Sequence, residues 1–214
     1  MASSGVKIAD GIAELFFRLG SDANGADNSG NIIATLYLDS VCFAKLEENG
    51  EFMSFETING SVPDIEKAAY GTVTLNTDAA YVKSGKQSAK LETVLNEWGN
   101  CVAGFAWNGS ALQMPTIENA NAITFWMYSE KALYLYATLS TGVGDTWKSS
   151  AVNPIALEEG WNFVTINMNS SLQSIGPDLN NGIQELFFKT GDASGAGTTP
   201  VTLYIDNVCF AKVA

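Results

Sequence analysis

The sequence predicts an all-β protein, an antiparallel β-sandwich of the jelly-roll type. Segments of about eight residues are rich in β-branched and aromatic residues and are bounded by Gly, Asn and Asp, which is typical of short strands joined by turns. The clearest are residues 122–129, 132–140 and 162–169. No long stretch shows the helical period of about 3.6 residues. Many short strands without intervening helices favour a sandwich over a parallel α/β sheet.

Alternation along two of these strands separates an apolar face from an aromatic, polar one. Successive side chains of a strand point to opposite faces, so every second residue shares a face. The apolar face suits the packed interior, whereas rings that carry hydrogen-bonding groups suit a half-wet surface. The predicted core residues are Ile123, Phe125, Met127, Leu133, Leu135 and Leu139. The predicted surface residues are Trp126, Tyr128, Tyr134 and Tyr136.

Two segments of the chain recur near its C-terminus. GIAELFFRLG at residues 11–20 matches GIQELFFKTG at residues 182–191 in seven of ten positions. TLYLDSVCFAK at residues 35–45 matches TLYIDNVCFAK at residues 202–212 in nine of eleven positions. The chain therefore holds one complete repeat unit and the last part of a preceding one, as expected for a piece of a tandem array.

The boundary between these units is predicted near Glu48. Residues 1–47 would be the C-terminal strand pair of the preceding unit, and residues 48–214 a complete module, with the polar segment KLEENGEF at residues 45–52 as a linker. The alternative is that each unit begins with the LFF segment, which makes residues 1 to about 165 the module. Two apolar strands are not stable alone, so the N-terminal fragment is expected to pair with a neighbouring copy in a homo-oligomer or to lie beside the module.

Composition excludes several classes of function. The 23 acidic and 11 basic residues give a net charge of −12, which disfavours nucleic acid and anionic membranes as partners. The chain contains no histidine, the usual general base and transition-metal ligand. Its three cysteines are never closely spaced, so they are interpreted as buried thiols. The first residues lack the pattern of a signal peptide, so an export signal is expected upstream.

The order of motifs along residues 53–214 resembles that of the calcium-stabilised jelly-roll carbohydrate-binding modules of bacterial plant-polysaccharide-degrading enzymes and scaffolds. The motifs are MSFETING (53–60), YVKSGKQSAKLE (81–92), ITFWMYS (123–129), GWNFVTINM (160–168) and LYIDNVCFAK (203–212). The resemblance implies a non-catalytic module, secreted or attached to the cell surface, that binds a plant cell-wall or storage polysaccharide. The alternatives are a structural or adhesive β-repeat and a glycoside hydrolase, which needs only two carboxylates.

The same resemblance implies a structural calcium ion. In such modules the opening Phe-Glu, the Ser-Gly-Lys turn and the final Ile-Asp strand converge on one Ca²⁺, and the matching positions are Glu56, the main chain around Gly85 and Lys86, and Asp206. An aspartate between apolar strand residues needs a partner, and calcium prefers carboxylate and carbonyl oxygens. Turn amides would satisfy Asp206 equally well.

Candidate sugar-binding residues are aromatic, because flat rings pack against the apolar C–H face of a pyranose. Trp147 lies in the Gly-rich stretch TGVGDTWKSS and Trp98 in the polar loop NEWGN, so both are expected to be exposed. Trp107 is expected to be a core residue and Trp161 a core or rim residue. The adjacent Glu158 and Glu159 are expected to be a solvated loop pair. For strand aromatics the alternative to ligand contact is packing under a loop. The predicted ligand-binding residues are Trp98, Trp126, Tyr134, Tyr136 and Trp147.

Overall fold

Two antiparallel sheets form the part of the chain that this computed structural model describes, residues 46–213. The strands are β1 Leu46–Met53, β2 Ala68–Tyr70, β3 Thr72–Asn76, β4 Ser88–Glu92, β5 Val94–Leu95, β6 Cys101–Ala106, β7 Ala122–Ser129, β8 Leu133–Thr141, β9 Lys148–Ala151, β10 Ile155–Leu157, β11 Gly160–Asn167, β12 Ile183–Asp192, β13 Gly195–Ala196 and β14 Thr202–Val213. Helical residues in this range occur only as single 3-10 turns of three residues. None of these helices is long and apolar enough to span a membrane.

One sheet has six strands in the order β11-β7-β14-β4-β3, with β1 paired to β14. The other has eight strands in the order β10-β8-β12-β6-β2, with β5, β9 and β13 paired to β6, β8 and β12. The predicted antiparallel β-sandwich is therefore confirmed. β12 and β14, whose sequences recur near the N-terminus, are each paired on both edges.

The core lies between the two sheets and is built from every second residue of the strands. Phenylalanines contributed by five segments fill its centre, and each is fully buried: Phe55, Phe105, Phe125, Phe188 and Phe210. The predicted core residues Ile123, Met127, Leu135 and Leu139 are also 0% exposed, whereas Leu133, the first residue of β8, is half-buried. Trp107 is 3% exposed, so its predicted core position is confirmed.

The cysteines of the described residues behave as small apolar side chains. Cys101 and Cys209 are buried and form no disulfide. Burial, followed by the charge of Glu51, raises the pKa of Cys209 to about 12. Cys42 lies outside the described residues.

The predicted linker is wrong, because Leu46–Met53 forms β1. This strand pairs with the second half of β14, from Val208 to Val213. β4 pairs with the first half of the same edge, Thr202–Ile205. The main-chain groups of β14 beyond Ile205 need partners, and β1 supplies them although its side chains are largely polar. The predictions made for the N-terminal repeat fragment fall on residues outside the described range.

Candidate functional site

A row of aromatic residues crosses the outer face of the eight-stranded sheet. Tyr70 on β2 and Phe187 on β12 both stand opposite Gly104 on the intervening β6. Gly104 has no side chain, and the two rings approach each other across it, with centroids 4.9 Å apart and planes inclined by 44°. We call this surface, with its neighbours Glu185, Lys189, Tyr134 and Tyr136, the Tyr70–Phe187 face. Its side chains are half-buried, so each ring keeps part of its surface in solvent.

A chain of hydrogen bonds beside these rings joins residues of four strands, β2, β12, β8 and β9. The Tyr70 hydroxyl donates to Glu185 Oε1 at 2.6 Å, and the Ser140 hydroxyl lies 2.8 Å from Glu185 Oε2. Ser140 Oγ is also 3.1 Å from Ser149 Oγ on β9. Burial and the hydrogen bond to Glu185 raise the pKa of Tyr70 to about 12, so the phenol keeps its proton and remains a donor. The carboxylate is thereby held in one orientation.

Lys189 lies on the other side of Phe187, because residues 185, 187 and 189 share one face of β12. Its Nζ is 5.8 Å from the centroid of the Phe187 ring. No residue of the described range forms an ion pair with it. The face therefore combines an aromatic centre with an acceptor on one side and a donor on the other.

Two of the predicted ligand-binding residues lie on this face. In the register of β8 and β12, Tyr136 stands opposite Lys189 and Tyr134 opposite Gly191. The Tyr136 hydroxyl donates to the main-chain carbonyl of Asp192. The predicted alternation in β8 thus places both tyrosines on the same outer face of the sheet as Phe187.

Trp98 and Trp147 are exposed, as predicted, with 71% and 46% of their surfaces accessible. Trp98 lies in the turn between β5 and β6, next to the end of β12 where Lys189 pairs with Val102. Trp147 precedes β9, whose first residue pairs with Thr141 at the other end of the sheet. The two tryptophans therefore flank opposite ends of the eight-stranded sheet.

Trp126 lies on the opposite side of the sandwich, on the outer face of the six-stranded sheet. The Lys83 Nζ is 4.0 Å from the centroid of its ring, and the Phe163 ring is 5.0 Å away. The loop that carries Lys83 also places Tyr81 against this sheet, stacked on Tyr204 at 4.1 Å. The structure thus separates Trp126 from Tyr134 and Tyr136 and packs it under a loop. Trp161 lies at the rim of this cluster, edge-on to Tyr128 at 5.5 Å.

Sequence reasoning missed four residues of the Tyr70–Phe187 face. Glu185, Phe187 and Lys189 alternate with the buried Leu186 and Phe188 in ELFFK, and that alternation was available in the sequence. Tyr70, in contrast, follows two alanines in a three-residue strand, which carries no periodic signal.

The residues expected at the calcium site converge on one loop of the main chain. Glu56 Oε1 accepts from the Lys86 and Gln87 amides at 2.7 and 2.9 Å, and Asp206 Oδ2 accepts from the Lys83 and Ser84 amides at 2.7 and 2.8 Å. A side chain at Gly85 would collide with the Glu56 carboxylate, so the glycine permits this approach.

Only half of the Asp206 carboxylate is satisfied. Its Oδ1 is buried and makes no hydrogen bond in the structure. Burial raises the pKa of Asp206, and the nearby Glu56 adds to the rise. Burial also raises the pKa of Glu51, with further contributions from Asp206, Asp64 and Glu56. Carboxylate and main-chain oxygens suit Ca²⁺. Among the described residues, no three acidic, histidine or cysteine side chains are grouped closely enough to hold a metal by themselves.

No family model and no curated protein matches the sequence. The chain is similar in structure to a family 11 carbohydrate-binding module of a cellulosomal cellulase of Clostridium thermocellum, with 13% identity and a TM-score of 0.49 over 77% of this chain and 95% of that chain. It is also similar to a family 11 module from Clostridium thermocellum in complex with a β-1,3-1,4-mixed-linked tetrasaccharide, with 12% identity and a TM-score of 0.48 over 76% and 94% of the two chains. A xylan-binding domain from Paenibacillus barcinonensis shows 15% identity and a TM-score of 0.43 over 77% and 99%.

Proposed function

We propose that residues 48–214 are a non-catalytic module that binds a plant cell-wall or storage polysaccharide on the Tyr70–Phe187 face. The observation that supports this proposal is the pair of contacting rings surrounded by fixed polar groups. Aromatic rings pack against the apolar face of a pyranose, and hydroxyl, carboxylate and ammonium groups hydrogen-bond its hydroxyls. The aromatic cluster of the six-stranded sheet is the weaker candidate, because Lys83 and Tyr81 already cover part of it.

The test is affinity electrophoresis against neutral plant polysaccharides, with two matched phenylalanine variants. Phe187→Ala removes the central ring of the Tyr70–Phe187 face, and Phe163→Ala removes a ring that is 47% exposed on the opposite sheet. An aromatic contact is worth up to about 1.5 kcal/mol beyond its area, so we expect Phe187→Ala to weaken binding roughly tenfold. Phe163→Ala should bind like the wild type. Loss of binding in Phe163→Ala alone would place the site on the other sheet.

A second assay, for release of reducing sugar, separates the alternative functions. Reducing sugar released from a polysaccharide would identify a glycoside hydrolase, whereas neither binding nor release would favour a structural or adhesive repeat. Glu158 and Glu159, the adjacent acidic pair of the sequence, are exposed in the turn before β11.

A structural calcium ion at Glu56 and Asp206 is a second proposal. Its support is the unpaired, buried Oδ1 of Asp206 beside a loop that already bonds both carboxylates. The ion would neutralise carboxylates that are close together, and it would stabilise only the folded state. A calcium concentration 100 times the Kd adds about 2.7 kcal/mol, which raises the Tm by roughly 5–11 °C. Asp206→Asn should abolish this rise, and Glu159→Gln should keep it. An unchanged melting curve after verified metal removal would contradict the proposal.

We also propose an extracellular location. Plant polysaccharides lie outside the cell, so a module that binds them must reach that compartment.

We further propose that the N-terminal fragment pairs with a second copy of the chain. Residues 11–20 and 35–45 repeat the sequences of β12 and β14, so they can substitute for those strands in a neighbouring sandwich. Light scattering of the full chain beside a version that begins at Leu46 tests the pairing. Monomeric masses for both at high concentration would exclude it.

A further inference from the structure

The Tyr70–Phe187 face carries a carboxylate, Glu185, on one side of the Phe187 ring and an ammonium group, Lys189, on the other. We infer that Glu185 determines which sugar chains this face accepts, and that it selects uncharged chains over chains that carry carboxylates. The inference rests on the proposed function and adds to it the charge class of the ligand.

The Glu185 carboxylate is a hydrogen-bond acceptor whose orientation is fixed by two hydrogen bonds. Each of its oxygens already takes one hydroxyl, from Tyr70 at 2.6 Å and from Ser140 at 2.8 Å. A carboxylate has about four lone-pair sites, so each oxygen keeps one for a further donor. A sugar hydroxyl can donate to that site. A uronate carboxylate has no proton to donate, and it would bring a second negative charge against one that is held in place.

Lys189 offsets this repulsion only in part. Its ammonium group is 5.8 Å from the Phe187 ring and forms no ion pair within the described range, so the flexible side chain is free to turn to solvent or to a sugar hydroxyl. The net charge of −12 also repels anionic polymers at long range. The fixed Glu185 carboxylate therefore determines the preference for uncharged chains, and the flexible Lys189 ammonium group reduces the size of that preference.

The experiment uses the full chain and polymers that differ only in carboxylate content. Mixed-linkage β-glucan, galactomannan and soluble starch are each prepared in neutral form and after partial oxidation of their C6 hydroxymethyl groups to carboxylates. Affinity electrophoresis at low salt gives the ratio of the two Kd values for each polymer that binds. We expect the wild type to bind the oxidised form at least fivefold more weakly.

Three variants identify the origin of that ratio. Glu185→Gln keeps the side-chain shape and removes the charge, so the ratio should fall at least threefold while the neutral polymer still binds. Lys189→Gln should increase the ratio. Glu118→Gln, which changes the net charge equally at an exposed position before β7, should leave the ratio unchanged.

A ratio that is the same in Glu185→Gln and in the wild type would overturn the inference and leave the proposed function intact. Tighter binding of the oxidised polymer by the wild type would do the same. Absence of binding to every neutral polymer would instead refute the proposed function itself, and the inference with it. If Glu185→Gln does not fold, Glu185→Ser takes its place, since it also removes the charge. A ratio equal to that of the wild type would again overturn the inference.

Discussion

Replacement of Gly104 by alanine tests the close approach of β6 and β12 that creates the Tyr70–Phe187 face. An added Cβ would lie 2.5 Å from the main-chain oxygen of Leu186, 2.5 Å from the Cα of Phe187 and 2.6 Å from its Cβ. Ordinary carbon contacts are about 3.5–4.0 Å, so the two strands would have to separate by about 1 Å. β12 is also paired to β8 on its other edge and cannot yield freely. Overpacking of this kind costs about 1–3 kcal/mol, which lowers the Tm by roughly 2–12 °C in a domain of this size.

The assay is thermal melting, followed by polysaccharide binding at a temperature where the variant is folded. Gly197→Ala is the matched control, because a Cβ there meets only the Thr190 oxygen at 3.6 Å and the Gly191 Cα at 3.7 Å, which are ordinary contacts. We expect Gly104→Ala to melt lower and to bind more weakly, since Phe187 is displaced from Tyr70. Wild-type melting and affinity in Gly104→Ala would refute the reasoning, because the strands would then have room that the structure does not show.

Three further predictions concern other parts of the molecule. Burial raises the folded-state pKa values of Asp206, Asp64 and Glu51, so without metal the stability that is present at acid pH is lost as pH rises through these values. Calcium favours the ionised carboxylates, so its effect on the Tm should grow from acid to neutral pH; a pH-independent effect would argue against these groups. Trp98→Ala and Trp147→Ala should each change the free energy of unfolding by less than about 0.5 kcal/mol and weaken polysaccharide binding, as measured by melting and affinity electrophoresis. The buried thiols of Cys101 and Cys209 should resist a thiol reagent until the protein unfolds, and rapid labelling of either residue under native conditions, located by peptide mapping to separate it from Cys42, would contradict their burial.

The sequence predicted which residues of a strand share a face, but not which sheet the strand belongs to. β7 and β8 follow each other along the chain, and the alternation in each predicted buried residues such as Phe125 and Leu135. The two strands nevertheless lie in different sheets. Their outward residues therefore point away from each other, and Trp126 is separated from Tyr134 by the whole sandwich. A period of two contains no information about that crossover.

Pairing between distant strands explains the other differences. The polar composition of residues 45–52 predicts a linker, yet the chain forms a strand at Leu46–Met53 because the edge of β14 requires main-chain partners. Amino-acid composition describes side chains, whereas the structure of this segment is determined by main-chain hydrogen bonds. Asp206 shows the opposite case, since an aspartate among apolar neighbours predicted a partner and the structure supplies it in the Lys83 and Ser84 amides.

The antiparallel pairing of β1 with β14 has a mechanical consequence. Leu46 and Val213, at the two ends of the described chain, are direct partners in this ladder. A pulling force applied through these two ends would load the hydrogen bonds of β1 one pair at a time, as a zipper is opened, and not all together in shear. β1 would peel away first and uncover the edge of β14 as far as Val208, while the bonds between β14 and β4 still hold. Under tension the module would therefore first lose the pairing of β1, before the rest of the sandwich carries any load.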